Sequence, residues 1–204
     1  MRKSTIKKIR DLDLSEKIIL KEIMADKAMV QWHYDKMKAT MKDKVTEQEI
    51  WRRINAIIIR DNIFNAAMEK LVNFYEFQII EQDITEIATK LKELFPDREL
   101  EVLKDVAEKM LIKEMIFEDL SNLWNIKVTD DEVKAALDSY YKFTNESVKN
   151  YLEDQDKFEN IRKTIFEEKM ANEIISRIKY ELDLPKPPQK EEKPVEQKPA
   201  EEVK

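Results

Sequence analysis

Not one of the 204 residues is glycine, although average usage of about 7% would place roughly 14 in a chain of this length. That excludes glycine-rich phosphate loops. It also removes the usual residue of tight hairpins and left-handed helix caps, so helices joined by polar loops are expected rather than sheets. Cysteine is absent as well, which excludes disulfides, thiol nucleophiles and thiolate-bound zinc. Histidine occurs once, at His33 in Gln31-Trp32-His33-Tyr34, so a multi-histidine metal site is impossible and a catalytic imidazole would have to be that single side chain. No run of about 18 apolar residues exists, and no apolar leader followed by small residues opens the chain. From these absences the expectation is a cytoplasmic protein that is not an enzyme, carries no cofactor or metal, and binds neither membrane nor DNA.

What is present is hydrophobic content of 42%, enough for a core, and 39% charged residues, enough to keep helix faces wet. The net charge of −6 hides an asymmetry. Residues 1–10 hold five basic side chains (Arg2, Lys3, Lys7, Lys8, Arg10) and no acidic one, leaving 32 basic against 43 acidic in the remainder, or −11. An acidic body suits phosphate poorly. Residues 1–12 therefore read as a basic, flexible N-terminus. At the other end, residues 185–204 contain five of the six prolines, lysines and glutamates in equal number, and no aromatic, which is the composition of a disordered tail. The folded unit is expected over 13–184.

Within it, six or seven helices are expected, three of them long. Ser15 is placed as the cap of a short helix to 24, and a second helix runs over 27–42. Thr46-Glu47-Gln48-Glu49 forms a capping box opening a long helix extended to 77, and Asp83-Ile84-Thr85-Glu86 starts another that ends at Phe95 before Pro96. Further helices follow over 97–124, from a second box at Thr129-Asp130-Asp131-Glu132 to 141, and from 156 to 182. The last carries Phe166, Met170, Ile174, Ile178 and Leu182 in one row spaced by four. The helix after Thr46 is apolar nearly all round, with Asp61 on one of its apolar stripes, so this carboxylate must find a partner or face water.

Over 52–184 the order of segments is distinctive: Leu123-Trp124-Asn125-Ile126-Lys127-Val128-Thr129-Asp130-Asp131-Glu132-Val133, then Val148-Lys149-Asn150-Tyr151-Leu152, Phe158-Glu159-Asn160-Ile161-Arg162 and Glu167-Glu168-Lys169-Met170-Ala171. This pattern resembles the C-terminal, substrate-holding domain of the bacterial chaperone trigger factor, to which the helical domain of SurA is related. The ribosome-docking and prolyl-isomerase domains of that family need glycine and have no counterpart here. The resemblance implies an all-α body with two arm-like projections, standing alone as in small trigger-factor-like proteins of minimal-genome bacteria. It further implies an ATP-independent holdase for non-native, nascent or unassembled polypeptides, ribosomal proteins among them, bound through apolar surfaces between helices. A helical scaffold for one defined partner is the alternative, and a homodimer with covered crevices is a natural resting form.

A holding surface needs aromatic and thioether side chains flanked by charge. The residues meeting that description are Tyr140, Tyr141 and Phe143 near one arm tip, Leu94 and Phe95 at the other, and Met29, Trp32, Met37 and Met41 on the helix over 27–42.

Overall fold

The computed structural model describes residues 2–41, 45–144 and 147–185, so the expected tail lies outside the described residues beyond Pro185. Among these residues there are seven helices: α1 (Lys27–Met41), α2 (Glu47–Val72), α3 (Glu81–Leu94), α4 (Leu100–Trp124), α5 (Asp130–Thr144), α6 (Lys149–Glu153) and α7 (Gln155–Arg177). The fold is thus helical, with α2, α4 and α7 the three long members. Local chemistry explains the starts. The Thr46 hydroxyl accepts from the Glu49 amide at 3.2 Å. The box at Thr129 is complete, since its hydroxyl accepts from the Glu132 amide at 3.3 Å while Glu132 accepts from the Thr129 amide at 2.9 Å. The last long helix is capped by Asp154, two residues before the expected start, through the Lys157 amide at 3.1 Å.

Lacking glycine, the chain uses Asn125 (φ 53°, ψ 43°) as the left-handed residue that stops α4. Asparagine tolerates this region because its short polar side chain bonds locally.

The three long helices meet in one seam. Ile63, Ala67 and Leu71 from α2, Ile116, Phe117 and Leu120 from α4, and Met170 and Ile174 from α7 are all buried there. Removing one such aliphatic side chain typically costs about 2–5 kcal/mol, whereas an exposed ion pair contributes about 0–1 kcal/mol, so this seam rather than the many surface pairs holds the body together. From it α4 runs outward to pair with α3 over Ile84, Ala88, Leu103, Ala107 and Leu111; Ala88 and Ala107, both fully buried, leave room for a close approach. In the other direction α7 leads to a third cluster built from Val133, Leu137 and Phe158 under α5.

Among the described residues four short strands accompany the helices: β1 (Thr5–Lys8), β2 (Ile18–Leu20), β3 (Tyr75–Gln78) and β4 (Tyr180–Leu182). β1 pairs antiparallel with β3, and β2 pairs parallel with β4. The helix expected to 77 stops at Val72, because Tyr75-Glu76-Phe77-Gln78 alternates apolar and polar side chains, Tyr75 buried and Glu76 exposed. No helix spans 15–24: the Ser15 amide and hydroxyl both donate to Asp13, closing a turn, and the apolar run Ile18-Ile19-Leu20 enters a strand pair. The row at intervals of four ends with Ile178 buried, while Leu182 sits in β4 and is exposed.

Nor do residues 2–12 form a free arm. The amides of Lys3 and Ser4 and the Ser4 hydroxyl all donate to the Asp83 carboxylate, which is only 5% exposed. Arg2 pairs with Glu118 at 2.7 Å, and the Arg10 guanidinium lies 4.7 Å from the centre of the Phe74 ring. The Lys3 ammonium in turn donates to the Gln82 side chain at 2.7 Å, so three of the five basic residues lie against the body of their own chain. Asp83, expected to help open a helix, instead ties the N-terminus down.

These hydrogen bonds, foremost that from the Ser4 hydroxyl, hold the Asp83 carboxyl below its ordinary pKa of 3.8. A depressed folded pKa contributes stability above 3.8 that is lost as pH falls through the folded value. Asp83→Asn should therefore flatten the acid limb of the stability curve. Asp83→Ala should lower the melting temperature by several degrees and release amide protection first at Thr5–Lys8; unchanged hydrogen exchange there would show that Asp83 does not anchor β1.

Candidate polypeptide-binding surfaces

The α3–α4 turn is fixed by backbone chemistry. The Phe95 amide still closes onto Leu91, the following Pro96 cannot continue a helix, and the Lys92 ammonium folds over the carbonyls of Pro96 and Arg98. A tip built this way holds Leu94 and Phe95 out in water, 72% and 52% exposed. Beyond it, α4 has two apolar stripes. Leu103, Ala107 and Leu111 face α3, while Val102, Val106 and Met110, one position earlier at the same spacing of four, remain exposed. One partner helix covers one stripe, so the hairpin is left with apolar surface that its own fold does not use.

At the other projection, the first turns of α5 are pinned and the last are not covered. Arg162 on α7 donates to the Val128 carbonyl at 2.8 Å and to Asp130 at 2.6 Å, and Lys169 reaches the Lys127 carbonyl and Glu132. Val133 and Leu137 bury the inner face. Past them Tyr140, Tyr141 and Phe143 are each nearly half exposed, and the neighbouring α6 adds exposed Tyr151 and Leu152.

The third surface is α1, which has no buried residue and rests along α2 through its edges. Tyr34 stacks on Trp51 at 5.1 Å and its hydroxyl donates to Glu47 at 3.1 Å, while Arg53 lies 3.8 Å from the Met41 sulfur. Met29 and Trp32 are exposed, with the Lys36 ammonium 4.6 Å over the indole. Met37 and Met41 are half-buried. Of the nine side chains singled out from sequence, seven are exposed and these two form part of the α1 packing. They do not converge on one site: α1 packs on α2, α3 on α4, and α5 on α7.

No protein-family model matches the chain. Over 183 residues it is 33% identical to the uncharacterized protein MG377 of Mycoplasma genitalium and to its homologue in Mycoplasma pneumoniae, an alignment that spans 89% of this chain and 94% of each relative. The chain belongs to this Mycoplasma family. The crystal structure of the hypothetical Mycoplasma protein MPN555 has the same architecture, with a TM-score of 0.79 and 33% sequence identity over 89% of this chain and 92% of that one. The family fold is therefore known at nearly full length.

Sequence reasoning missed the stripe Val102, Val106 and Met110. The signal was available: two parallel rows at intervals of four on one helix exceed what a single antiparallel neighbour can bury.

Half exposure sets an expectation for Tyr140, Tyr141 and Phe143. Three fully buried aromatics would together approach the whole stability of a domain, at about 3–5 kcal/mol each. Changing all three to serine should instead leave the helical circular dichroism unchanged and lower the melting temperature by only a few degrees. Unfolding of the triple variant would mean that the cluster is core.

Proposed function

We propose that this protein is an ATP-independent holding chaperone that shields apolar segments of non-native or unassembled polypeptides. The observation that carries this reading is the surplus apolar surface at the ends of both projections: Leu94, Phe95 and the outer stripe of α4 on one, Tyr140, Tyr141 and Phe143 on the other. Soluble monomers rarely leave contiguous apolar surface of this kind without a use for it. Both patches are flanked by charge, such as Lys142 paired with Asp138 at 2.6 Å, which keeps an empty surface compatible with water. The resemblance of residues 52–184 to the substrate-holding domain of trigger factor supports the same reading, as does the separation of the patches, since an extended chain can touch several weak sites in succession and gain avidity. The action proposed is stoichiometric, without nucleotide or bond chemistry.

The test is suppression of aggregation of a thermally unfolded client. The wild-type protein should suppress light scattering at roughly equimolar amounts with no effect of ATP. The variants Tyr140→Ser/Tyr141→Ser/Phe143→Ser and Leu94→Ser/Phe95→Ser should each hold less while remaining folded. Full activity in both folded variants would exclude these surfaces, and no suppression by the wild type would exclude the function.

A further inference from the structure

A cleft of about 510 Å³ opens between α1 and α2, well within the range of about 300–1,000 Å³ typical of ligand sites. Its apolar lining comes from Leu20, Met24, Met29, Val30, Ile58 and Ala66. One wall is fixed by a two-way clamp, in which Asn62 on α2 donates to the Met24 carbonyl and accepts from the Met24 amide, both at 2.8 Å. The two methionines are exposed and unbranched, so they can adapt to side chains of different shape.

Charge decides what such a cleft would take. Four carboxylates line it, Glu22, Asp26, Asp61 and Glu69, and no lysine or arginine does. Among the described residues none of the four forms an ion pair, in a protein whose acidic side chains are otherwise widely paired. The two cations next to them on α2 are turned elsewhere: Arg60 binds Glu168 at 2.8 Å and Asn172 at 3.0 Å on α7, and Lys70 binds the Glu16 carbonyl and carboxylate at 2.8 and 3.1 Å. Asp61 opens to solvent, yet the surrounding protein strips enough of its water to raise its pKa, with Arg60 and His33 acting in the opposite sense. Four like charges around an apolar floor repel one another while the cleft is empty and complement positive charge when it is filled.

We propose that the α1–α2 cleft docks a cationic amphipathic segment of a bound polypeptide, with its apolar side chains on the methionine floor and its lysines or arginines against the Glu22, Asp61 and Glu69 rim. The assignment rests on the reading of this protein as a polypeptide holder and adds a preference to it: the projections take apolar surface of any charge, and the cleft selects basic segments. Asp26 contributes charge but is already committed, since it accepts from the Met29 amide at 2.9 Å and so caps α1.

The experiment is fluorescence anisotropy on the full chain with three labelled peptides of one apolar pattern, carrying lysine, glutamine or glutamate at the polar positions. Rim pairs each contribute about threefold at low salt. The lysine peptide should therefore bind on the order of tenfold more tightly than the glutamine peptide and lose that advantage as salt shortens the screening length from about 10 Å to 3 Å. Asp61→Asn/Glu69→Gln, which leaves Glu22 on the rim, should cut the preference to about threefold with helical circular dichroism unchanged. If that variant unfolds, Glu22→Gln/Glu69→Gln, both at exposed positions, replaces it. Equal binding of the lysine and glutamine peptides, or a preference that is undiminished in a folded variant, overturns the proposal. Absence of peptide binding together with intact suppression of aggregation overturns the cleft alone, and loss of both overturns the holding function with it.

Discussion

Everything outside the centre of this molecule hangs from the seam where α2, α4 and α7 exclude water from one another. Leu71, Leu120, Met170 and Ile174 have no exposed surface there. Because α4 and α7 are each longer than the seam requires, their free lengths serve as beams: α4 carries α3, and α7 carries α5 and α6. The beams have small cores of their own, and each leaves apolar surface uncovered at its far end. Rigidity at the centre and surplus at the ends are thus one design, since an exposed apolar patch on a loosely held element would collapse inward.

Polar groups at the margins are handled by the chain itself. Among the described residues no buried side-chain nitrogen or oxygen lacks a hydrogen-bond partner. Asp83, the one buried carboxylate in that set, takes two backbone amides and a hydroxyl from residues 3 and 4. Burial of a charge is tolerable when hydrogen bonds replace its water, and here the replacement also converts a basic N-terminus into a docked strand.

What could be seen in advance follows from what is local. The Thr46 and Thr129 caps, the break at Pro96 and the three long helices were legible because cap chemistry and a period of 3.6 act within a few residues. The strands were not. Ile18-Ile19-Leu20 is an apolar triplet equally at home in a helix, and its partner Tyr180–Leu182 lies at the opposite end of the chain. Tyr75–Gln78 did carry a strand signal, but four alternating residues at the end of a strongly apolar helix are easily read as its last turn. The exposed side chains were legible where an aromatic stood beside a helix end, as at Phe95 and Tyr141. They were missed where ordinary aliphatics were exposed, as at Val102 and Val106, since only the number of neighbours distinguishes such residues from core. The α1–α2 cleft was illegible for the same reason: Asp61 was visible on its stripe, but the convergence of Glu22 and Glu69 on it depends on how the chain folds back.

The parallel pair of β2 and β4 has a consequence in time. Ile18–Leu20 finds its partner only about 160 residues later in the sequence. At a synthesis rate of about 5–20 residues per second, the first strand waits roughly ten to thirty seconds before the second has been made. Through that interval the segment that will form part of the cleft wall has no strand to hold it, and the central seam itself still lacks α7. A protein proposed to shelter unfinished chains spends most of its own synthesis as one.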